Sequence, residues 1–243
     1  MKRSALAIIL VLALACAWLV PASADPGKLY LVFLAGDGDV EDSPNFVFRN
    51  ILMAHEDLQD RAEAFLVRSY KNDYSNGTAI KQAQLGESSL PPDGINVVAA
   101  YSHGGQSLYF MNLDNVTDVY LLDACVSIGG KCSGKDYQAK GRVWTEWILE
   151  TARRGIRVHF YVSVGKHNEP SGDKIVLKIL ETMIEENDET LAALGDGQYR
   201  VLDENGEPAG LIDTALLEGT HKDICIITAD QITERLYQLL EEE

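Results

Sequence analysis

The chain has 243 residues, of which 46% are apolar, and a formal net charge of −16. That length suits one large domain, or one domain with a small appendage. So acidic a protein is repelled by phosphate backbones and anionic lipid, which argues against a nucleic-acid-binding function.

Residues 1–24 read as a secretory signal peptide. Lys2-Arg3 is a charged start, Ala5 to Val20 is apolar, and Ala22-Ser23-Ala24 precedes Asp25-Pro26 as an A-x-A cleavage site. Its removal takes the formal charge from −16 to −18. No later run approaches the ~20 apolar residues of a membrane helix. The expectation is a secreted, periplasmic or cell-envelope protein that does not insert in a membrane after cleavage. Residues 25–243 then form a single domain, with 190–243 as a candidate C-terminal extension. The mature part keeps Cys125, Cys132 and Cys225. An odd number leaves a free thiol if one disulfide forms. Cys132 paired with Cys225 and three reduced, buried cysteines both remain open.

In chain order, Leu29–Leu34 reads as a strand ending at Ala35-Gly36-Asp37-Gly38-Asp39. The spacing of Phe46, Val47, Ile51, Leu52 and Leu58 predicts a helix with Ser43 as its N-cap. A strand over 62–67, a turn over 73–77 and a short helix over 78–85 follow. Asn96–Ser102 and Val119–Leu122 are apolar runs of the kind that central parallel strands show, because both their faces are covered. A mere turn around Asn112–Asn115 is expected between them. A helix over 143–153 closes at Arg154-Gly155, and strand 158–164 and helix 175–185 come next. Residues 198–211 read as a hairpin turning at Asn205-Gly206. Residues 223–228 read as a strand and 229–243 as an amphipathic helix. Alternating strands and helices argue for an α/β sandwich around a mostly parallel sheet.

The two apolar runs end in reactive side chains next to small residues: Tyr101-Ser102-His103-Gly104-Gly105 and Leu121-Leu122-Asp123-Ala124-Cys125-Val126-Ser127. Ligands and chemistry lie past the carboxyl ends of parallel strands, so an imidazole and a thiol are expected side by side there. This pair of motifs resembles the caspase-like cysteine peptidases, the group of caspases, metacaspases, clostripain, gingipains and legumains. The resemblance implies a caspase-like three-layer sandwich with a C-terminal β-hairpin and helix, and an exported endopeptidase. Cys125 would be the nucleophile and His103 the general acid/base, with the backbone N–H groups of Gly104 and Cys125 receiving the oxyanion. Asp37 and Asp39 are candidates for binding a basic substrate side chain, for Ca²⁺, or for shaping a Gly-rich turn. The substrate would be a peptide or protein, and no cofactor is implied. A catalytically silent caspase-like domain that binds a peptide or protein partner is the alternative.

Asp123 reads as an orienting group or a turn cap. His159 reads as core, and His167 as another strand-end histidine. No histidine or cysteine pair has zinc-ligand spacing. Asn76-Gly-Thr78 and Asn115-Val-Thr117 are glycosylation triplets. His103-Gly104-Gly105 also resembles an esterase oxyanion motif. A serine hydrolase needs G-x-S-x-G at a strand-to-helix elbow, and Tyr161-Val-Ser163-Val-Gly165 lacks the first glycine.

Overall fold

The computed structural model describes residues 28–36, 50–68, 90, 93–124, 137–164 and 172–242. The signal segment, the turn at 73–77, the helix expected over 78–85, and Asp37, Asp39, Cys125, Cys132 and His167 lie outside them. So does the start of the helix expected from residue 46.

Eight strands form one mixed sheet, ordered β2-β1-β3-β4-β5-β8-β7-β6. β1 (Leu29–Ala35), β2 (Ala62–Arg68), β3 (Ile95–Tyr101), β4 (Asp118–Leu122), β5 (Arg157–Ser163) and β8 (Pro208–Leu217) are joined in parallel. β6 (Leu191–Gly195) and β7 (Gln198–Leu202) extend the β8 side with antiparallel pairings. The fold is thus α/β, with a mostly parallel sheet, flanking helices and antiparallel C-terminal strands. Among the described residues, no helix is long and apolar enough to cross a membrane.

All seven residues of β3 and all five of β4 are buried, the polar Asn96 and Asp118 included, as mid-sheet strands covered on both faces are. Alternate side chains feed two core clusters. Val98, Ala100 and Leu121 join Trp144 and Ile148 of α3 (Tyr137–Arg153) and Val176 and Leu180 of α4 (Gly172–Glu185). Val97, Ala99, Tyr101 and Leu122 join Leu58 of α1 (Glu56–Arg61) and Ile232 and Leu236 of α6 (Ala229–Glu241). Gly155 closes α3 at φ 84°, its N–H donating to Ala152 O at 2.9 Å.

Several expected elements differ. The helix expected to reach Leu58 is interrupted: His55 is extended at φ −132°, and α1 restarts at Glu56. The β3–β4 crossover carries a short helix, α2 (Gly104–Tyr109), before the turn at Asn112–Asn115. Residues 191–195 form a strand that the sequence reading lacked. Residues 223–228 hold a short helix, α5 (Ile224–Ile227), where Ile-Cys-Ile-Ile suggested a strand. Local hydrogen bonds decide that case. Asp223 O accepts from the N–H groups of Ile226 and Ile227, and β8 already occupies the edge of β5.

Candidate functional site

The strand order reverses between β1 and β3, since β2 lies outside β1 and the later strands lie beyond β3. The crevice at the carboxyl ends of such a pair is where open α/β sheets bind ligands. Gly36 follows the end of β1 there, and Ser102 follows the end of β3.

Ser102 makes a sharp turn from β3 into α2, with φ at 51°. A positive φ is uncommon for a residue with a Cβ and carries strain of order ~1–3 kcal/mol. The neighbouring chain holds it in place. Ser102 N–H donates to Leu122 O at 3.2 Å, and Gly105 N–H donates to Ser102 O at 3.1 Å. Two glycines make room. A Cβ on Gly36 would stand 2.8 Å from Ser102 Cβ, and one on Gly104 would stand 2.1 Å from Leu34 O. Only glycine lets β1 pass the elbow and lets α2 lie this close to β1. On the strand side, two residues before Ser102, the small side chain is Ala100, fully buried.

Beside this elbow, β4 ends at Asp123, fully buried and with φ at 44°. Asp123 N–H donates to Tyr161 O at 2.9 Å. Its carboxylate is oriented by β5: Oδ1 accepts from Ser163 N–H at 2.8 Å and Oδ2 from Ser163 Oγ at 2.5 Å. The third partner is His221, whose Nδ1 lies 3.1 Å from Asp123 Oδ2. An ionised carboxylate only accepts, so a neutral His221 would carry its hydrogen on Nδ1 and leave Nε2 as the acceptor. The His221 side chain is 29% exposed, within reach of solvent or substrate.

His221 lies on the short connection between β8 and α5. A closed turn fixes that connection. Asp223 Oδ2 accepts from Thr220 N–H at 2.9 Å and Thr220 Oγ1 at 2.7 Å. The Thr220 hydrogen bonds hold the Asp223 carboxyl below its ordinary range. Tyr101, just before Ser102, stacks on the His221 ring at 4.7 Å, and its hydroxyl donates to His221 O at 3.1 Å.

β3 and β4, which precede His103 and Cys125 in the sequence, pair in parallel, Tyr101 opposite Leu122. His103 follows Ser102 at the head of α2, and Gly104 begins the helix. Cys125, Asp37 and Asp39 lie outside the described residues. Sequence reasoning did not single out the turn at Ser102 or the contact of His221 with Asp123. Ala100-Tyr-Ser102-His-Gly104 was the available signal for the first, with alanine in place of the first glycine. The order Ser…Asp…His along the chain was the signal for the second.

A second polar cluster sits at the other edge, around the start of β4. His159, read as core, is 3% exposed. Its Nε2 lies 2.8 Å from Asp118 Oδ1 and its Nδ1 lies 3.1 Å from Asp213 Oδ2. Arg235 of α6 donates through Nε to Asp118 Oδ1 at 3.0 Å, and Arg157 through Nε to Asp213 Oδ2 at 2.5 Å. The Arg235–Asp118 pair fastens α6 to the sheet, and the others tie β5 to β4 and β8. Among the described residues, no group of three or more His, Cys, Asp or Glu could hold a metal ion.

No family model and no curated protein matches this chain. Among solved structures it is similar to a mutant of the feruloyl esterase module from Clostridium thermocellum, complexed with sinapinate. The identity is 15%, the match covers 89% of this chain and 79% of that one, and the TM-score is 0.41. No caspase family model matches this chain, and the expectation of a caspase-like cysteine endopeptidase is corrected, as is that of a silent caspase-like domain.

Proposed function

We propose that this chain is a serine hydrolase of carboxylic esters, with Ser102 as nucleophile, His221 as general base and acid, and Asp123 as the group that orients His221. The observation that carries the reading is His221 held by the buried Asp123 carboxylate, beside a serine at a strained strand-to-helix elbow. A serine hydroxyl is a weak nucleophile, and it needs a base whose other nitrogen is fixed by an acid. Helices on both faces of the sheet, in a three-layer arrangement, would make the elbow's crevice rigid.

In the first step Ser102 Oγ attacks the ester carbonyl carbon and its proton passes to His221 Nε2. The oxyanion forms against backbone N–H groups. By the geometry of such elbows one of these belongs to His103, just after the nucleophile. The carbon–oxygen bond to the alcohol then breaks, and His221 returns the proton to the leaving alkoxide. Water attacks the acyl-enzyme with His221 again taking the proton. The bond to Ser102 Oγ breaks, the acid leaves, and the serine regains its hydrogen. Asp123 keeps Nδ1–H in place and stabilises the imidazolium in both halves. The signal-like residues 1–24 support export, so the ester would be met outside the cytoplasm.

The test is hydrolysis of neutral p-nitrophenyl esters by wild type, Ser102→Ala, His221→Ala and Cys125→Ala. Activity lost in the first two and retained in the third is expected. Activity that survives Ser102→Ala and disappears with Cys125→Ala would overturn the assignment.

A further inference from the structure

We infer that Tyr101 is a positioning residue for the reaction, one that fixes the plane and height of the His221 ring; this rests on the serine-hydrolase reading above. Asp123 alone cannot do this. One hydrogen bond at Nδ1 leaves the imidazole free to turn about the line to the carboxylate, which would swing Nε2 away from Ser102. Tyr101 removes that freedom in two independent ways. Its ring lies against the His221 ring with centroids 4.7 Å apart and planes 24° from parallel. Its hydroxyl donates to the backbone oxygen of His221 at 3.1 Å, holding the loop from which the ring projects.

The support is itself rigid. Tyr101 is the last residue of β3, 3% exposed, and part of the core cluster that includes Leu122 and Ile224. The residue that carries the nucleophile follows it directly. The separation between nucleophile and base is therefore set by one strand end and not by a loop 120 positions away in sequence. The stack has a second consequence. When His221 takes the proton from Ser102 it becomes a cation over the face of a phenol, an attractive arrangement. The contact then strengthens in the transition state, which is the kind of interaction that raises kcat.

The experiment compares Tyr101→Phe and Tyr101→Leu with wild type on a p-nitrophenyl ester, with Ser102→Ala as the inactive reference. Leu239→Ala, a core truncation in α6, serves as the control for lost stability. Tyr101→Phe keeps the ring and loses the hydroxyl, so kcat within about tenfold of wild type is expected. Tyr101→Leu loses both contacts, and kcat lower by about 100-fold with KM unchanged is expected. Leu239→Ala should lower the melting temperature without lowering kcat at 25 °C. A Tyr101→Leu enzyme with wild-type kcat, or with its whole defect in KM, would overturn the positioning role while leaving the hydrolase reading intact. Equal kcat losses in Tyr101→Leu and Leu239→Ala would also overturn it. A wild-type protein whose ester hydrolysis is no faster than that of Ser102→Ala would overturn both.

Discussion

His221 Nδ1 and Asp123 Oδ2 meet at 3.1 Å across 98 positions of sequence, with the carboxylate fully buried. Nothing local requires this contact. Asp123 could satisfy its own turn, as aspartates at strand ends do. Instead its oxygens accept from Ser163 and face His221. Replacing Asp123 by Asn should leave the fold intact and remove the acceptor that selects the Nδ1–H tautomer. A kcat loss of about 10⁴-fold on neutral esters is expected, with little change in KM. Steady-state kinetics on the folded variant check this.

Ser163 gives the same arrangement a stability readout. Its hydroxyl and its N–H both donate to Asp123. Ser163→Ala removes one charge-assisted hydrogen bond from a buried carboxylate. Destabilisation by about 1.5–3 kcal/mol is expected from urea unfolding. Ester hydrolysis should fall less than in Asp123→Asn, because the Ser163 N–H still holds Oδ1.

Gly104 tests the elbow. An added Cβ would lie 2.1 Å from the backbone oxygen of Leu34, so α2 must move away from β1. Gly104→Ala should cost about 1–3 kcal/mol of stability. It should also lower kcat, because Ser102 sits on the turn that shifts. Thermal unfolding and ester kinetics on one preparation measure both. A variant with native stability and native kcat would mean the helix start is not held as described.

The acid stability of the fold should report on Asp118. Burial opposes its ionisation, but hydrogen bonds from His159 and Arg235 and their charges outweigh it and hold the carboxyl below its ordinary range. The folded state therefore binds this proton less readily than the unfolded chain. The contribution to stability is full above the ordinary value near ~3.9 and is lost as pH falls through the lower folded value. Asp188, lowered by its bonds from Thr190, acts in the same direction. Unfolding midpoints measured from pH 7 down to pH 2 should fall on the acid side. The fall should be shallower in Asp118→Asn, which should already be weaker at pH 7 by about 3–5 kcal/mol.

The parallel sheet was legible because its central strands are buried on both faces, so Asn96–Tyr101 and Val119–Leu122 stand out as apolar runs. The carboxyl edge was legible for the same reason, since each run ends abruptly in polar residues. Two features of that edge were not legible in the sequence, and the hydrolase reading proposed above rests on both. At the elbow, the two glycines of the serine-hydrolase motif were required literally. The physical requirement is only a side chain small enough to be buried beneath the turn, and Ala100 meets it. At His221, the β-branched run after Asp223 suggested a strand, which would have placed the histidine on an ordinary connection. The closed Thr220–Asp223 turn and the stack on Tyr101 arise from tertiary contacts that sequence spacing does not encode. The Asp118–His159–Asp213 cluster was invisible for the same reason, since its members lie on three strands.

Covalent capture distinguishes a Ser102 nucleophile from any other. The full chain is treated with a neutral aryl phosphonate ester at pH 7.5, and the labelled peptide is identified by mass spectrometry. One adduct on Ser102 is expected, slowed strongly in His221→Ala and unaffected in Cys125→Ala. An adduct on Cys125 or on any other residue, with Ser102 unmodified while the protein hydrolyses ester, would contradict the account.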